Sequence, residues 1–273
     1  MKFASNEIDL SRVHVMGVLN VTPDSFSDGG CFSEASDALE QADRMVKAGA
    51  TFIDVGGEST RPGATPISLQ EEMDRVLPVV EVLAKRYDAV VSVDSSSPDL
   101  LKEAVGLGMG LINDVRALQR AGAMEVAAES NLPVCLMHMQ GSPQSMQDAP
   151  SYQNAISEIS HFFEQRVDAC LSMGISRENI LLDPGFGFGK TLTHNLMLLK
   201  NLKAFESLGF PLLVGLSRKS MLGQITDKEV DERLASSLSS AAIAAMNGAK
   251  IIRVHDVEET VDVIKVVQAV LDI

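Results

Sequence analysis

Of the features that staple, anchor or export a polypeptide, this chain of 273 residues has almost none. Its three cysteines, Cys31, Cys135 and Cys170, are odd in number and widely spaced, with no CxxC pair. That excludes a disulfide framework and a cysteine zinc cluster, and it fits a reducing compartment such as the cytoplasm. No run approaches the about 18 apolar residues that a membrane span needs. The opening MKFASNEIDL has no apolar signal region, so a soluble, non-exported protein is expected. Positive charge is in short supply as well. Twenty-three basic residues face 37 acidic ones for a formal net charge of −14, which speaks against nucleic acid or anionic membrane as partners. Any bound anion must be held by locally placed cations and backbone donors. Low-complexity tracts, linkers and charge blocks are missing too, so residues 1–273 read as a single domain, a size that α/β barrels commonly reach.

What is present is a regular alternation of short apolar runs with helical stretches. Strands are expected at Val13 to Asn20, Thr51 to Val55, Ala89 to Val93, Gly110 to Ile112, Pro133 to Met137, Asn179 to Leu182, Pro211 to Gly215 and Lys250 to Val254. Helices are expected at Ala35 to Lys47, Leu69 to Arg86, from Pro98 onward, Ala121 to Ser130, Ala155 to Met173, Leu196 to Leu208, Asp231 to Met246 and Val257 to Leu271. Glycines at 49, 174, 209 and 248 stand where helices stop. Strands this continuously apolar are buried on both faces, as in a parallel sheet covered by helices. An open doubly wound sheet would usually carry GxGxxG after its first strand, whereas TPDSFSDGG stands there. The pattern therefore predicts a closed (β/α)8 TIM barrel.

The stretch Met16 to Gly30, MGVLNVTPDSFSDGG, sets the theme: a buried strand ends at Asn20 and delivers a polar loop of about ten residues, where about 2 to 6 is usual. In such barrels the working end is the one where strands terminate. The eight ends carry Asn20; Ser59, Thr60 and Arg61 of GGESTRPG; Asp94; Asn113 and Asp114; Met137, His138 and Met139; Asp183 before PGFGFGK; Ser217, Arg218 and Lys219; and Arg253 with His255. Taken alone, Asp94 or Asp183 is equally an ordinary helix cap. All eight together, with arginines, a lysine and asparagines, describe one polar mouth.

Two carboxylates and an amide at strand ends, Asp94, Asp183 and Asn113, suit the paired N–H groups of a guanidine-like or aminopyrimidine heterocycle. Arg61, Lys219, Arg253 and His255, with the hydroxyls of Ser59, Thr60 and Ser217, suit an anion, and Arg253 can also stack on an aromatic ring. A heterocycle bearing a phosphate group is the expected ligand. DPGFGFGKT is not a phosphate loop, because Pro184 occupies the required glycine position. The five histidines, His14, His138, His161, His194 and His255, show no zinc spacing. Met137 lies at a strand mouth, where methionine serves packing and ligand contact alike.

In chain order, NVTPDSFSDGG from Asn20, GGESTRPG from Gly56, SVD ending at Asp94, IND to Asp114, LMHMQG from Leu136, DPGFGFGK from Asp183, GLSRKS from Gly215 and RVHDV from Arg253 resemble the dihydropteroate synthase family, the sulfonamide target of folate biosynthesis. The departure noted is Ser95, where threonine is common. The resemblance implies a homodimeric barrel that joins 4-aminobenzoate to a dihydropterin-methyl diphosphate with the help of Mg2+. It implies that Asp94, Asn113, Met137, Asp183 and Lys219 hold the pterin beneath Arg253. Asn20, Thr60, Arg61, Arg253 and His255 would surround the diphosphate, with Asn20 also a magnesium ligand. Phe26, Pro62, Phe188 and Ser217 would line the aminobenzoate pocket, and closure of loops carrying Phe26, Asp28 and Arg61 would exclude water. Catalysis would thus rest on Asn20, Asp28, Arg61, Lys219, Arg253 and His255.

Two rival readings share the barrel. A corrinoid-dependent methyltransferase domain lacks the DSFSDGG and GLSRKS features and comes with a cobalamin module; a non-catalytic pterin-binding paralogue would have lost the loop residues that are retained here. The small-residue helix Leu234 to Met246, LASSLSSAAIAAM, suits either a subunit interface or close packing on its own barrel.

Overall fold

The computed structural model describes residues 1–21, 31–58, 67–142 and 145–273, leaving aside the side chains of 31–35. An antiparallel pair, β1 (Lys2–Phe3) and β2 (Asn6–Glu7), precedes the first barrel strand, β3 (His14–Asn20). There follow α1 (Cys31–Ala48), β4 (Phe52–Gly56), α2 (Leu69–Arg86), β5 (Val90–Asp94), α3 (Pro98–Gly106), β6 (Leu111–Asp114), α4 (Ala123–Ser130), β7 (Val134–Met137), α5 (Ala155–Ser172), β8 (Ile180–Asp183), α6 (Leu192–Lys200), β9 (Leu212–Gly215), α7 (Ser220–Thr226), α8 (Leu234–Met246), β10 (Ala249–Val254) and α9 (Val257–Leu271). Strands β3 to β10 are parallel and close into a barrel in sequence order, β10 pairing with both β9 and β3. The (β/α)8 barrel expected from the alternation is the fold observed. No helix among the described residues is long and apolar enough to cross a membrane.

Side chains along a strand alternate between two faces, and here each face has its own chemistry. Outward go Val15, Leu19, Ile53, Val55, Val91, Val93, Ile112, Val134, Leu136, Ile180, Leu182, Val214, Ile252 and Val254, which pack beneath the helices in one continuous core. At about 1.5 to 3 kcal/mol for each fully buried aliphatic side chain, this layer supplies most of the driving force for closure. Inward, at the amino-terminal end, Met16, Phe52, Val90, Leu111, Cys135, Leu181, Leu213 and Ile251 form a separate apolar floor. The β1–β2 hairpin stoppers that floor: Phe3 is buried against it with its ring edge-on to Phe52 at 5.0 Å, and the Asn6 amide donates to the Asp88 carbonyl.

Several element bounds differ from the sequence expectation, each for a local reason. The N-terminal hairpin was not anticipated, because two-residue strands leave no periodicity to read. Strand β6 lies one to two residues later than expected and carries Asn113 and Asp114 inside it. The expected helix at 196–208 is α6, started at Leu192 by a Thr191 hydroxyl that accepts from the His194 amide at 3.2 Å, followed by a 3-10 segment at Leu202–Leu208. The expected helix from Asp231 is a 3-10 turn at Val230–Glu232 and then α8; α7 was not expected. Helix α8 turns Ser237, Ser240, Ala241, Ala244 and Ala245 inward, so its small-residue face packs on its own barrel.

Helix α2, which follows the second mouth loop, begins with a capping box: Ser68 Oγ accepts from the Glu71 amide at 3.3 Å, and the Glu71 carboxylate accepts from the Ser68 amide at 3.0 Å. Ser68→Ala removes half of that exchange and is expected to lower unfolding free energy by about 1 kcal/mol in urea titration. An unchanged midpoint would mean that solvent caps the helix equally well.

Candidate active site

The mouth is a continuation, residue by residue, of the inward face of the floor. Two residues beyond Phe52, Val90, Leu111, Cys135, Leu181 and Ile251 stand Asp54, Ser92, Asn113, Met137, Asp183 and Arg253; four beyond Met16 and Val90 stand Asn20 and Asp94. A period of two puts all of them inside the barrel. The site is thus a polar storey on an apolar one, and the strand interiors are less uniformly apolar than the sequence reading held.

Its centre is a residue that reading passed over. Asp54, fully buried in β4, accepts from Ser92 Oγ at 2.5 Å, from Asn113 Nδ2 at 3.0 Å and from Arg253 Nε at 2.6 Å. Arg253 Nη2 reaches Asp94 at 2.9 Å. One guanidinium therefore ties β10 to β4 and β5, and it is fixed in place before any ligand arrives. The available signal was a carboxylate inside TFIDV in phase with Phe52. Asn113 spends one N–H on Asp54, which leaves its amide oxygen and its second N–H to meet a ligand.

Burial dominates the ionisation of these groups. It pushes Asp94 up to about 7, against the pull of Arg253 and with the help of Asp54, Asp114 and Glu58. It also raises Asp183, which the Gly185 amide, Lys219, Lys190 and Arg253 partly restrain. Burial and the neighbouring Arg253 bring Lys219 down to about 8 against the opposing pull of Asp183 and Asp94. Burial lowers Arg253 too, but Asp54 and Asp94 more than offset this and hold it charged. Among the described residues no buried side-chain nitrogen or oxygen lacks a hydrogen-bond partner.

On the far side, Asp183 accepts from the Gly185 amide at 2.8 Å, a turn-capping bond that coexists with its place in the mouth. Lys219 Nζ lies 4.3 Å from the centre of the Phe188 ring, which puts two expected site residues in contact. Ser217 Oγ accepts from the His255 amide at 3.2 Å and pairs with His255 Nδ1 at 3.0 Å. Burial first, then the nearby Arg253 and Arg218, push His255 down to about 4, so the imidazole is neutral at physiological pH and offers a hydrogen bond rather than a charge.

Three residues named at the strand ends take other roles. Arg218 is in the left-handed conformation (φ 58°) and pairs with Asp256. Asp114 points outward, where it accepts from Ser96 Oγ and from the amides of Arg116 and Leu118 at 2.8 Å each, holding the turn in which Ala117 and Leu118 have positive φ. His138 turns to Lys190, whose Nζ lies 3.0 Å from His138 Nδ1 and 3.3 Å from its carbonyl oxygen. Met137 and Met139 border a cleft of about 210 Å³ with Val115, Arg116, Gln119, Gly141 and Ser142. Phe26, Asp28, Thr60, Arg61 and Pro62, with Ser59, lie outside the described residues.

Among the described residues no group of three or more His, Cys, Asp or Glu side chains could hold a metal ion. Asn20 and Asp94 flank Gly56, where a β-carbon would lie 3.9 Å from the Asn20 amide oxygen and 3.5 Å from Asp94 Cβ. The donor set here is one amide oxygen beside one carboxylate. It is too sparse to cage an ion but sufficient for Mg2+ that takes its other ligands from substrate phosphates and water.

Comparison with known proteins gives the same outline. A family model described as pterin binding enzyme matches residues 16–255. The chain is 55% identical to the dihydropteroate synthase of Escherichia coli K12 over 264 residues, 97% of this chain and 94% of that protein. It is 52% identical to the Haemophilus influenzae dihydropteroate synthase over 268 residues, 98% of each. Among solved structures, the Yersinia pestis dihydropteroate synthase in complex with a sulfonamide drug superposes with a TM-score of 0.96 at 52% identity, over 100% of this chain and 99% of that one. The Xanthomonas albilineans dihydropteroate synthase with 4-aminobenzoic acid gives 0.92 at 44% identity, over 97% and 96%.

Proposed function

Because the chain belongs to the family of pterin-binding enzymes, we infer that its barrel mouth is the active site of a dihydropteroate synthase. It is a transferase, as its relatives are. It joins 4-aminobenzoate to (7,8-dihydropterin-6-yl)methyl diphosphate, giving 7,8-dihydropteroate and diphosphate. The observation that carries this reading is the shared inward face of Asp94, Asn113 and Asp183 above a dry floor, with Lys219 and Arg253 beside them.

In the proposed mechanism Asp183 and Asp94 accept from the N–H groups of the pterin, Asn113 presents its amide oxygen, and Arg253 covers the ring. The bond between the pterin methylene carbon and the diphosphate oxygen breaks first, leaving a pterin-methyl cation that the two carboxylates stabilise. The electron pair goes to the departing oxygen, where Arg253, the neutral N–H of His255 and, from the second loop, Thr60 and Arg61 receive the charge. Well-placed donors of this kind are worth about 3 to 4 kcal/mol each. The aryl amine, held between Phe188, Ser217, Phe26 and Pro62, then forms the new C–N bond and gives up a proton to the released diphosphate. Closure of the loops bearing Phe26, Asp28 and Arg61 keeps water from the cation. Mg2+, with Asn20 as a protein ligand, would supply charge neutralisation at the diphosphate.

A homodimer is part of this reading. Ile243 and Met246 of α8 and Val266 and Val270 of α9 are exposed apolar residues on two helices in contact with each other, a surface suited to a second copy.

A coupled assay tests the function. Diphosphate release should require the pterin diphosphate and Mg2+, and dihydropteroate should appear only when 4-aminobenzoate is added. Full turnover in excess EDTA would remove the metal, and consumption of pterin diphosphate proportional to a saturating amine would overturn the dissociative order.

The ionisation of the mouth also sets a pH dependence. Asp94 becomes a carboxylate only above about 7, and Lys219 stays an ammonium only below about 8. Pterin affinity of the free enzyme is therefore expected to rise with pH through about 7 and to fall above about 8, measured by fluorescence titration. Asp94→Asn should remove the part of the rising limb near 7 that Asp94 sets, leaving that of Asp183. Because Asp94 binds its proton more tightly folded than unfolded, its own contribution to stability declines as pH rises from 3.8 toward 7.

A further inference from the structure

The lysine of DPGFGFGK is buried (3% exposed) and takes no part in the mechanism above. Lys190 Nζ lies 2.9 Å from the carbonyl oxygens of Gly185 and Phe188, 3.3 Å from that of His138 and 3.0 Å from His138 Nδ1. Four acceptors surround one amino group, which burial brings down to about 7 against the pull of Asp183, so the inside of the segment is filled by its own side chain. Burial, reinforced by Lys190, pushes His138 down to about 3, which leaves the imidazole neutral and Nδ1 free to accept. The backbone is built around this contact. Gly185 (φ 68°) and Gly189 (φ 63°) press against the 138–140 segment so closely that β-carbons would lie 2.0 Å from the His138 oxygen and 2.5 Å from the Gln140 oxygen. Tyr152 Oη donates to the Gly189 carbonyl at 2.9 Å, and Asn195 Oδ1 accepts from the Gly187 amide at 2.8 Å.

The consequence runs to the mouth through one residue. Gly185, held at its carbonyl by Lys190, donates its amide hydrogen to Asp183 Oδ1, while the Asp183 carbonyl accepts from the His138 amide at 2.9 Å. Phe188, held at its carbonyl by the same Nζ, sets its ring against Lys219.

We propose that Lys190 is a positioning residue, an internal hydrogen-bond donor that locks the 184–190 loop to the end of β7 and thereby fixes the Asp183 carboxylate and the Phe188 ring for pterin binding. This rests on the functional reading above, and the wild-type enzyme separates the two: if it binds no pterin, that reading fails. Given wild-type binding, Lys190→Ala should weaken 6-hydroxymethyl-7,8-dihydropterin by about 10- to 100-fold, the loss typical when a supporting residue is removed from a metal site. Inorganic diphosphate, which meets the other side of the mouth, should bind within about twofold of wild type, whereas general loosening would weaken both ligands. Ethylammonium, which brings N–H donors to the vacated cage, should restore pterin affinity, and tetramethylammonium, which has none, should not. His138→Leu and His138→Asn provide a second pair that leaves the lysine in place. The leucine should lower pterin affinity severalfold and the asparagine, which retains an acceptor, should keep most of it. Unchanged pterin affinity in Lys190→Ala, equal losses for pterin and diphosphate, or identical behaviour of the two His138 variants would each overturn the assignment.

Discussion

Asp54→Ala is expected to destabilise the protein by about 3 to 5 kcal/mol and to abolish pterin binding together with turnover. The cost falls on the guanidinium that remains. Arg253 is held by Asp54 through Nε and by Asp94 through Nη2, and removing the fully buried partner leaves a charge with one carboxylate in place of two. Breaking a buried pair from one side costs that much because the surviving charge is neither hydrated nor matched. Ser92 and Asn113 lose an acceptor in the same step. Urea denaturation measures the first effect, and calorimetry with a pterin measures the second. Asp54→Asn keeps the volume and one acceptor oxygen, so it should fall between wild type and alanine. Stability of the alanine variant within about 1 kcal/mol of wild type would show that Asp94 alone satisfies Arg253.

Asp183→Asn separates function from stability in the opposite sense. Its carboxylate is buried and raised in pKa, so charge at this position costs the fold something. The isosteric amide keeps an oxygen for the Gly185 amide and should leave stability at neutral pH equal to or above wild type. Pterin affinity should nevertheless fall by about 2 to 5 kcal/mol, at least about 30-fold, because a charged acceptor facing ligand N–H groups becomes a neutral amide with its own N–H groups in the way. Calorimetric affinity equal to wild type would place the pterin elsewhere in the mouth.

These two aspartates show where sequence reading reached and where it stopped. Asp183 was picked out because it ends an apolar run at a chain position where barrels do chemistry, and Asp94, Asn113, Lys219 and Arg253 were picked out in the same way. Asp54 was hidden inside TFIDV, since the strand was judged apolar as a whole. Its importance depends on Arg253, 199 residues away in sequence. Arg218 and Asp114 were over-read for the converse reason: both stand at strand ends, but one pairs with Asp256 and the other points outward into a turn.

By itself the sequence determined the fold and the end of it where the polar side chains gather. Alternating apolar runs and helical stretches can bury themselves only as strands covered by helices, and polar residues that cannot be buried cheaply must gather where strands stop. Only the tertiary structure decided which of those residues face one another. A two-residue period assigns a side chain to a face, but barrel closure and register bring β10 beside β3 and within reach of β4, and that proximity fixes Arg253 between Asp54 and Asp94.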